Sequence, residues 1–421
     1  MSSPNAIMDQ PARRAGAGSR DLWATVVAVT SITLPTFLVG TLAVELRRSL
    51  DFGPAELGLV VGSSYAASAL FAIPSGRLAE EFGGLRMLRY SAMVSAAVML
   101  LIATLVHSWP ELAGALVLAG AASSGGQTAS NLFLSRRITT TSQGLAFGIK
   151  QAAVPLAFLL GGVAVPTLAL TVGWRWAFVG AALVAVAGIL LLPHPRLSVS
   201  AQRKAALLRP KHEPTGPLVA LAVGFGLTLT ACSSLGAFLV SSAVSEGMGP
   251  GEAGLLAALA SACGITVRVT VGFLADRRGG RHLTFVIAMM LVGAAGFATL
   301  ALGATLHASA VFVPGAVVAF GIGWGWNGLF NFSVVRTHPR SPARASGITQ
   351  TGGRLGSVVG PLVFGILVEH LGYPGAWTVA CGEMVLGAAT MVAARALLSR
   401  RIRAEAAFSP PEAISHQTGH S

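Results

Sequence analysis

The chain has 421 residues, 53% of them hydrophobic and 11% charged, with a mean hydropathy of +0.70. A soluble domain carries about a quarter charged residues, so this composition excludes an ordinary soluble globular protein. The net charge of +13 raises a nucleic-acid partner, and the placement of the cations along the chain argues against one.

The first twenty residues are polar and lack the apolar core and small-residue cleavage site of a signal peptide, so residues 1–21 read as a tail. Apolar runs of about 20 residues cross a hydrocarbon core about 30 Å thick. Six such runs follow, at 22–44, 54–75, 87–107, 111–134, 144–170 and 174–193. The basic, proline-containing segment 194–215, HPRLSVSAQRKAALLRPKHEPT, interrupts them. Six more occupy 216–240, 251–274, 283–306, 309–335, 345–369 and 374–397, and 398–421 reads as a second polar tail. In lipid the backbone must satisfy its own polar groups, so each run is expected to be helical. The expectation is an all-α membrane protein with twelve transmembrane helices. Frequent Gly, Ala and Ser suit close helix packing in a membrane. Pro35, Pro155, Pro166 and Pro361 lie inside runs and predict kinks. Cys232, Cys263 and Cys381 also lie within runs, in no spacing that suggests disulfides or a metal site.

With the amino terminus inside, 23 of the 29 Lys and Arg fall on the inner face. Arg47, Arg48 and Arg175 fall outside, and Lys150, Arg268 and Arg354 lie within runs. That is the positive-inside pattern of a cell-membrane protein with both termini cytoplasmic. The basic balance then records topology in a lipid bilayer, with no nucleic acid.

The second half of the chain echoes the first. GRLAEEFGGLR at 76–86 returns as GFLADRRGGR at 272–281, and GPAELGL at 53–59 returns as GPGEAGL at 249–255, both at an offset of 196. FGIKQ at 147–151 meets SGITQ at 346–350 at an offset of 199, and GWRWAF at 173–178 weakly meets GYPGAW at 372–377. Four matches in one order predict two pseudo-symmetric six-helix halves, 22–193 and 216–397, joined by the linker 194–215. Copies of the same orientation are parallel repeats about an axis along the membrane normal.

In helix count, polarity, repeat and loop phrase the chain resembles the major facilitator superfamily of secondary transporters. The family's loop phrase fits Gly272, Asp276, Arg277, Gly279 and Arg281. Gly272 allows helices to approach closely, and Asp276 at a helix end can accept from the amides of a neighbouring helix. The arginines can reach carboxylates or exposed carbonyls. The resemblance implies that such a phrase is a conformational latch; a basic loop that only sets topology is the alternative. The first copy keeps Gly76 and Gly83 but has Glu80 at the Asp position and Glu81 at the Arg position. That reversal removes the usual pairing and shifts weight to the second copy.

Charges deep in a bilayer are costly and invite a functional reading. At a rise of about 1.5 Å per residue, Arg354 lies about 14 Å into the eleventh run, close to the midplane. Lys150 lies about 9 Å into the fifth run, Arg268 a similar distance from the inner end of the eighth, and Glu383 deep in the twelfth. The resemblance implies that runs 1, 2, 4, 5, 7, 8, 10 and 11 line a central cavity, which puts all three cations on lining helices. A positive cavity attracts anions, and a guanidinium grips a carboxylate in two places. Arg268, four residues before Gly272, is similar to the eighth-span arginine of oxalate-formate antiporters and monocarboxylate carriers. It reads either as a ligand or as a brace for the latch. Lys150 can instead snorkel to the surface, and Glu383 on a peripheral helix pairs locally, stays protonated or couples protons. Gln127 and Asn131 stand one turn apart, as do Asn327 and Asn331, and Gln151 and Gln350 are repeat mates. Each either binds substrate or bonds across helices. Trp324 and Trp326 either line the cavity or pack between helices.

No GxxxxGK[ST] phrase supports direct ATP driving. No HExxH or Cys/His cluster suggests a metal, no cofactor is implied, and nothing pairs a nucleophile with a base. The expected function is secondary transport of a small solute, an organic anion or carboxylate, by alternating access, with a coupling proton or an exchanged anion as partner. A drug or metabolite exporter of the same fold, and a non-transporting membrane receptor, are the alternatives. The short tails and linker disfavour a receptor.

Overall fold

The computed structural model describes residues 9–137, 148–193, 216–277, 282–338 and 342–408. The expected linker 194–215 lies outside them, as do Gly279, Arg281 and the ends of both tails. The described residues are helical almost throughout.

Helix α1, Asp9–Thr41, contains Pro35 and is followed by the short α2, Ala43–Leu50, which ends on Asp51 at φ 51°. α3, Pro54–Leu70, starts with proline in its first turn while the Gly53 amide donates to Glu56 Oε2 at 2.8 Å. α4, Ala72–Phe82, continues it after a bend of 53°. Then come α5, Gly84–Leu105, and α6, Trp109–Arg137. A turn of helix at 148–151 leads into α7, Ala153–Ala164, which widens into a π-turn at Val165–Ala169 around Pro166. α8 is Trp174–Leu191 and α9 is Gly216–Ser245. α10, Pro250–Arg277, repeats the start of α3: proline opens it and the Gly249 amide donates to Glu252 Oε2 at 3.1 Å. α11, His282–Leu306, precedes α12, Ser309–Gly321, and α13, Asn327–Thr337. α14, Pro342–Phe408, is two helical limbs joined at Gly372, whose φ of 68° no helix contains.

Among the described residues, eight helices are long and apolar enough to cross a membrane, and the bent pair α3–α4 makes a ninth. Several expected runs take a less regular form. Run 54–75 bends at Phe71 and continues to Phe82. Run 309–335 is broken by turns at 322–326, where Gly323 and Gly325 lower the cost of leaving the helix. The twelfth run follows the eleventh across Gly372 with no separate loop. Helix also reaches into both expected tails, from Asp9 and to Phe408.

The centre of the bundle is built from α1, α3, α7, α9, α10 and the first limb of α14. α3 packs on α14, α7 on α10, and α1 on α9. The remaining helices pack outside these pairs, as α5 does on α6 and α8, and α11 on α12 and α14. Glycine makes the closest approaches possible. A β-carbon on Gly40 would collide with the Gly236 carbonyl, and one on Gly162 would meet the Gly254 carbonyl at 2.5 Å. At the same end the Ala55 amide donates to Glu369 Oε1 at 3.1 Å, tying α3 to α14. On the outer surface, leucines such as Leu105, Leu183, Leu190 and Leu386 lie 60–77% exposed. A surface that apolar is stable against lipid and not against water.

Candidate functional site

Where the central helices diverge they enclose a cavity of about 170 Å3. α1 contributes Thr36 and Phe37, α3 contributes Ser64, Tyr65 and Ser68, and α6 contributes Ser123 and Gln127. Across from them stand Gln151, Leu229 of α9, Arg268 of α10, Trp324, Asn327 of α13 and Ser357 of α14. The wall is polar on both sides, and Thr36 and Ser64 share a hydrogen bond of 2.7 Å.

Arg268 is the cation of this wall. It is 6% exposed. Its Nη1 donates to the Gln151 carbonyl at 2.8 Å and its Nη2 to the Trp324 carbonyl at 2.9 Å. Its buried Nε has no hydrogen-bond partner. Those carbonyls are reachable because 322–326 has left the helix and because Gln151 precedes the turn into α7. The guanidinium thus bridges the 148–169 segment to the break before α13.

Lys150 sits one residue from Gln151 but does not line the cavity. It is 3% exposed, and its Nζ donates to Gln127 Oε1 at 2.6 Å and to Asn131 Oδ1 at 3.0 Å. A matching set lies opposite: Gln350 Nε2 donates to Asn331 Oδ1 at 2.8 Å, and Asn331 Nδ2 to Asn327 Oδ1 at 3.3 Å. Arg354 is half-buried and donates through Nη1 to the Ser68 carbonyl at 2.9 Å, linking α14 to α3 beside the cavity. The ion pairs among the described residues are Arg48 with Glu45 at 3.9 Å and His307 with Glu246 at 2.8 Å. Neither reaches Lys150, Arg268 or Arg354, so all three cations rest on neutral acceptors.

The structure therefore gathers Arg268, Gln127, Gln151 and Asn327 on the wall. It sets Lys150, Asn131, Asn331, Gln350 and Arg354 behind or beside it. Trp324 lines the cavity, whereas Trp326 is fully buried and donates from Nε1 to the Gly323 carbonyl at 2.6 Å. Glu383 lies half-buried on the second limb of α14 and does not line the cavity. Thr36, Ser64, Tyr65, Ser68 and Ser357 are wall residues that sequence reasoning did not single out. Small hydroxylated residues are common in membrane helices, so no composition signal marks them.

The described loop-phrase residues do not line the cavity. Gly76 belongs to α4, and Glu80 is exposed there with Glu81. Gly83, at φ 85°, starts α5. Gly272 lies in α10, where a β-carbon on Gly148 would stand 3.7 Å from its Cα. Asp276 and Arg277 end α10, with side chains outside the described part.

A multi-pass helical bundle around a small cavity of mixed lining, whose cation is held by backbone carbonyls, is a solute-handling membrane protein. The family model of the Major Facilitator Superfamily matches residues 24–341 and again 221–417. The chain belongs to that family of membrane transporters. It is 27% identical over 394 residues to an MFS-type transporter of Mycobacterium tuberculosis, covering 91% of this chain and 86% of the relative. It is 26% identical over 373 residues to a probable nitrate/nitrite transporter, NarK2, of the same organism, covering 81% and 88%. Among solved structures, the nucleoside transporter NupG superposes with a TM-score of 0.69 at 16% identity, covering 89% of this chain and 99% of that one. The human organic anion transporter MFSD10 superposes with a TM-score of 0.63 at 18% identity over the same shares.

Proposed function

We propose that the chain is a secondary active transporter that carries a compact organic anion by alternating access. In this reading twelve transmembrane helices form two halves, 22–193 and 216–397. The linker 194–215 and the tails 1–21 and 398–421 lie on the cytoplasmic face of the cell membrane. The pairs α3 with α14, α7 with α10 and α1 with α9 are then the contacts between halves.

Arg268 carries the reading. A charge at the bilayer centre costs about 2.5–3.5 kcal/mol on insertion scales. Here two backbone carbonyls hold the guanidinium, a third donor is left over, and among the described residues no carboxylate is paired with it. An arriving anion supplies the missing countercharge through charge-assisted hydrogen bonds. Arg268 also bridges the two halves, so the substrate's ligand is one of the bonds that a rocking motion must remake. The cavity, about 170 Å3, is smaller than the roughly 300–1,000 Å3 of drug-sized pockets. That size favours a compact solute over a bulky drug. A relative named for nitrate and nitrite is in keeping with an anion. A proton or an exchanged anion supplies the driving force, and the second loop phrase, Gly272 to Arg281, latches the halves on the cytoplasmic side.

The test is flux into sealed proteoliposomes together with binding to the purified protein, over small anions and lipophilic cations. Selective anion binding and uptake are expected, and Arg268→Gln is expected to lower anion affinity at least about tenfold, as the loss of a charged hydrogen bond does. Binding of cations with Arg268→Gln unaffected would make the protein an exporter instead. Anion binding without uptake would make it a receptor. Labelling of the two termini on opposite faces would remove the two-half topology.

A further inference from the structure

The cavity is flanked by two amide clusters of similar make-up: Lys150 bonds both Gln127 and Asn131, and Gln350 bonds Asn331, which bonds Asn327. Gln127 and Asn131 on one side face Asn327 and Asn331 on the other, and a residue 19 positions after the second of each pair, Lys150 or Gln350, is bonded to it. Lys150 reaches Asn131, and Gln350 reaches Asn331, each across 19 residues, at 3.0 and 2.8 Å. Gln127 and Asn327 bring the clusters to the cavity wall.

The polarity of the first cluster is fixed by chemistry. An ammonium has three donors and no acceptor, so the Gln127 atom that meets Lys150 must be the amide oxygen. The NH2 group of Gln127 is thereby turned away from Lys150 and left for the cavity. On the other side the Asn331 Nδ2 donates to the Asn327 oxygen at 3.3 Å, which leaves the Asn327 NH2 group for the cavity in a set held by amides alone, with no ion to fix its sense. With the unpartnered Nε of Arg268, these groups offer an occupant donors, beside wall hydroxyls such as Ser64 and Ser357 that donate or accept. An unrestrained amide would offer either.

We propose that Lys150 and Gln350 are positioning residues that orient Gln127 and Asn327, so that the amides beside Arg268 present donors and favour a compact oxyanion over its neutral amide counterpart. The inference rests on the anion reading above and adds what enforces it. An amide substrate has an NH2 group that would face another NH2 group, and leaving polar groups unpaired in a closed site is costly. Lys150 acts here by holding an oxygen.

The experiment is calorimetric titration of the purified full chain with sodium nitrate, sodium acetate and neutral acetamide. The wild type is expected to bind an anion and reject acetamide. Lys150→Gln keeps a donor toward Gln127 but adds an acceptor, and is expected to keep part of the affinity. Lys150→Met, equally neutral but without a donor, is expected to bind the anion about tenfold more weakly than Lys150→Gln. Lys150→Glu accepts from the Gln127 NH2 group, turns its oxygen to the cavity, and is expected to admit acetamide. Gln350→Met is uncharged and lies behind the wall, and is expected to lower anion affinity as well. Each variant is first checked for an unchanged melting temperature; if a Lys150 variant does not fold, Gln350→Met carries the test. Equal losses in Lys150→Gln and Lys150→Met with no effect of Gln350→Met would overturn the proposal while anion binding stands. A wild type that binds acetamide as well as acetate would overturn it too. A wild type that binds no anion would remove the anion reading and this proposal with it.

Discussion

Arg354 and Arg268 are both deep arginines, yet their surroundings give them different tasks. Arg268 lines the cavity, whereas Arg354 reaches past it to the Ser68 carbonyl at 2.9 Å and ties α14 to α3. Losing a bond from a charged donor costs about 1.5–3 kcal/mol, and here the loss falls on the contact between helices, away from the substrate. Arg354→Gln is therefore expected to leave anion affinity within about threefold of wild type while lowering uptake about tenfold or more. Titration and proteoliposome flux measured side by side check this, and an affinity loss as large as that of Arg268→Gln would make Arg354 a ligand. The same pair shows what could be read in advance. Depth in the membrane follows from counting residues at about 1.5 Å each, but which way a side chain faces turns by about 100° per residue. Gln151 meets the cavity and Lys150, its neighbour, meets α6. Counting places both at one depth and cannot separate them, because their azimuth is set by how the helices pack.

At the scale of elements, the repeated phrases are local devices as well as marks of duplication. In GPAE and GPGE a proline fixes the first helical φ and a glutamate two residues on takes the amide that the helix leaves unpaired. The Gly53 and Gly249 amides donate to Glu56 and Glu252 at 2.8 and 3.1 Å. Glu56→Ala and Glu252→Ala are each expected to cost about 0.5–2 kcal/mol, as lost caps do. Thermal melting of the purified variants checks the size, and near-additive losses in the double variant check that the two caps act independently. These starts were legible because capping is written in adjacent residues. The bends were less plain: the break at Phe71 is written only in Pro74, three residues on, which has no N–H for the Leu70 carbonyl. Gly372 stands between apolar runs that the sequence does separate, and its positive φ explains why the chain turns there. Run 309–335 looks continuous by hydropathy, yet Gly323 and Gly325 let it unwind where Arg268 needs the Trp324 carbonyl.

For the molecule as a whole, the contacts at the Gly40 end decide what can move. There the Ala55 amide meets Glu369 at 3.1 Å, and the backbones at Gly40 and Gly162 press against those at Gly236 and Gly254. Contacts that close depend on missing side chains and leave little room for sliding, so the central helices can part there only by moving as units. A transporter that alternates access must open this end once per cycle, whereas binding in the cavity needs no such opening from the other side. Cysteines introduced at Ala55 and Glu369, with Cys232, Cys263 and Cys381 replaced, can be joined by a short reducible cross-linker. The cross-linked protein is expected to keep its anion affinity, because the lining residues Arg268, Gln127 and Asn327 are untouched, and to lose uptake. A reductant is expected to restore uptake. If uptake continues with the end tied shut, the halves do not rock about this cavity, and the site would bind its anion without carrying it.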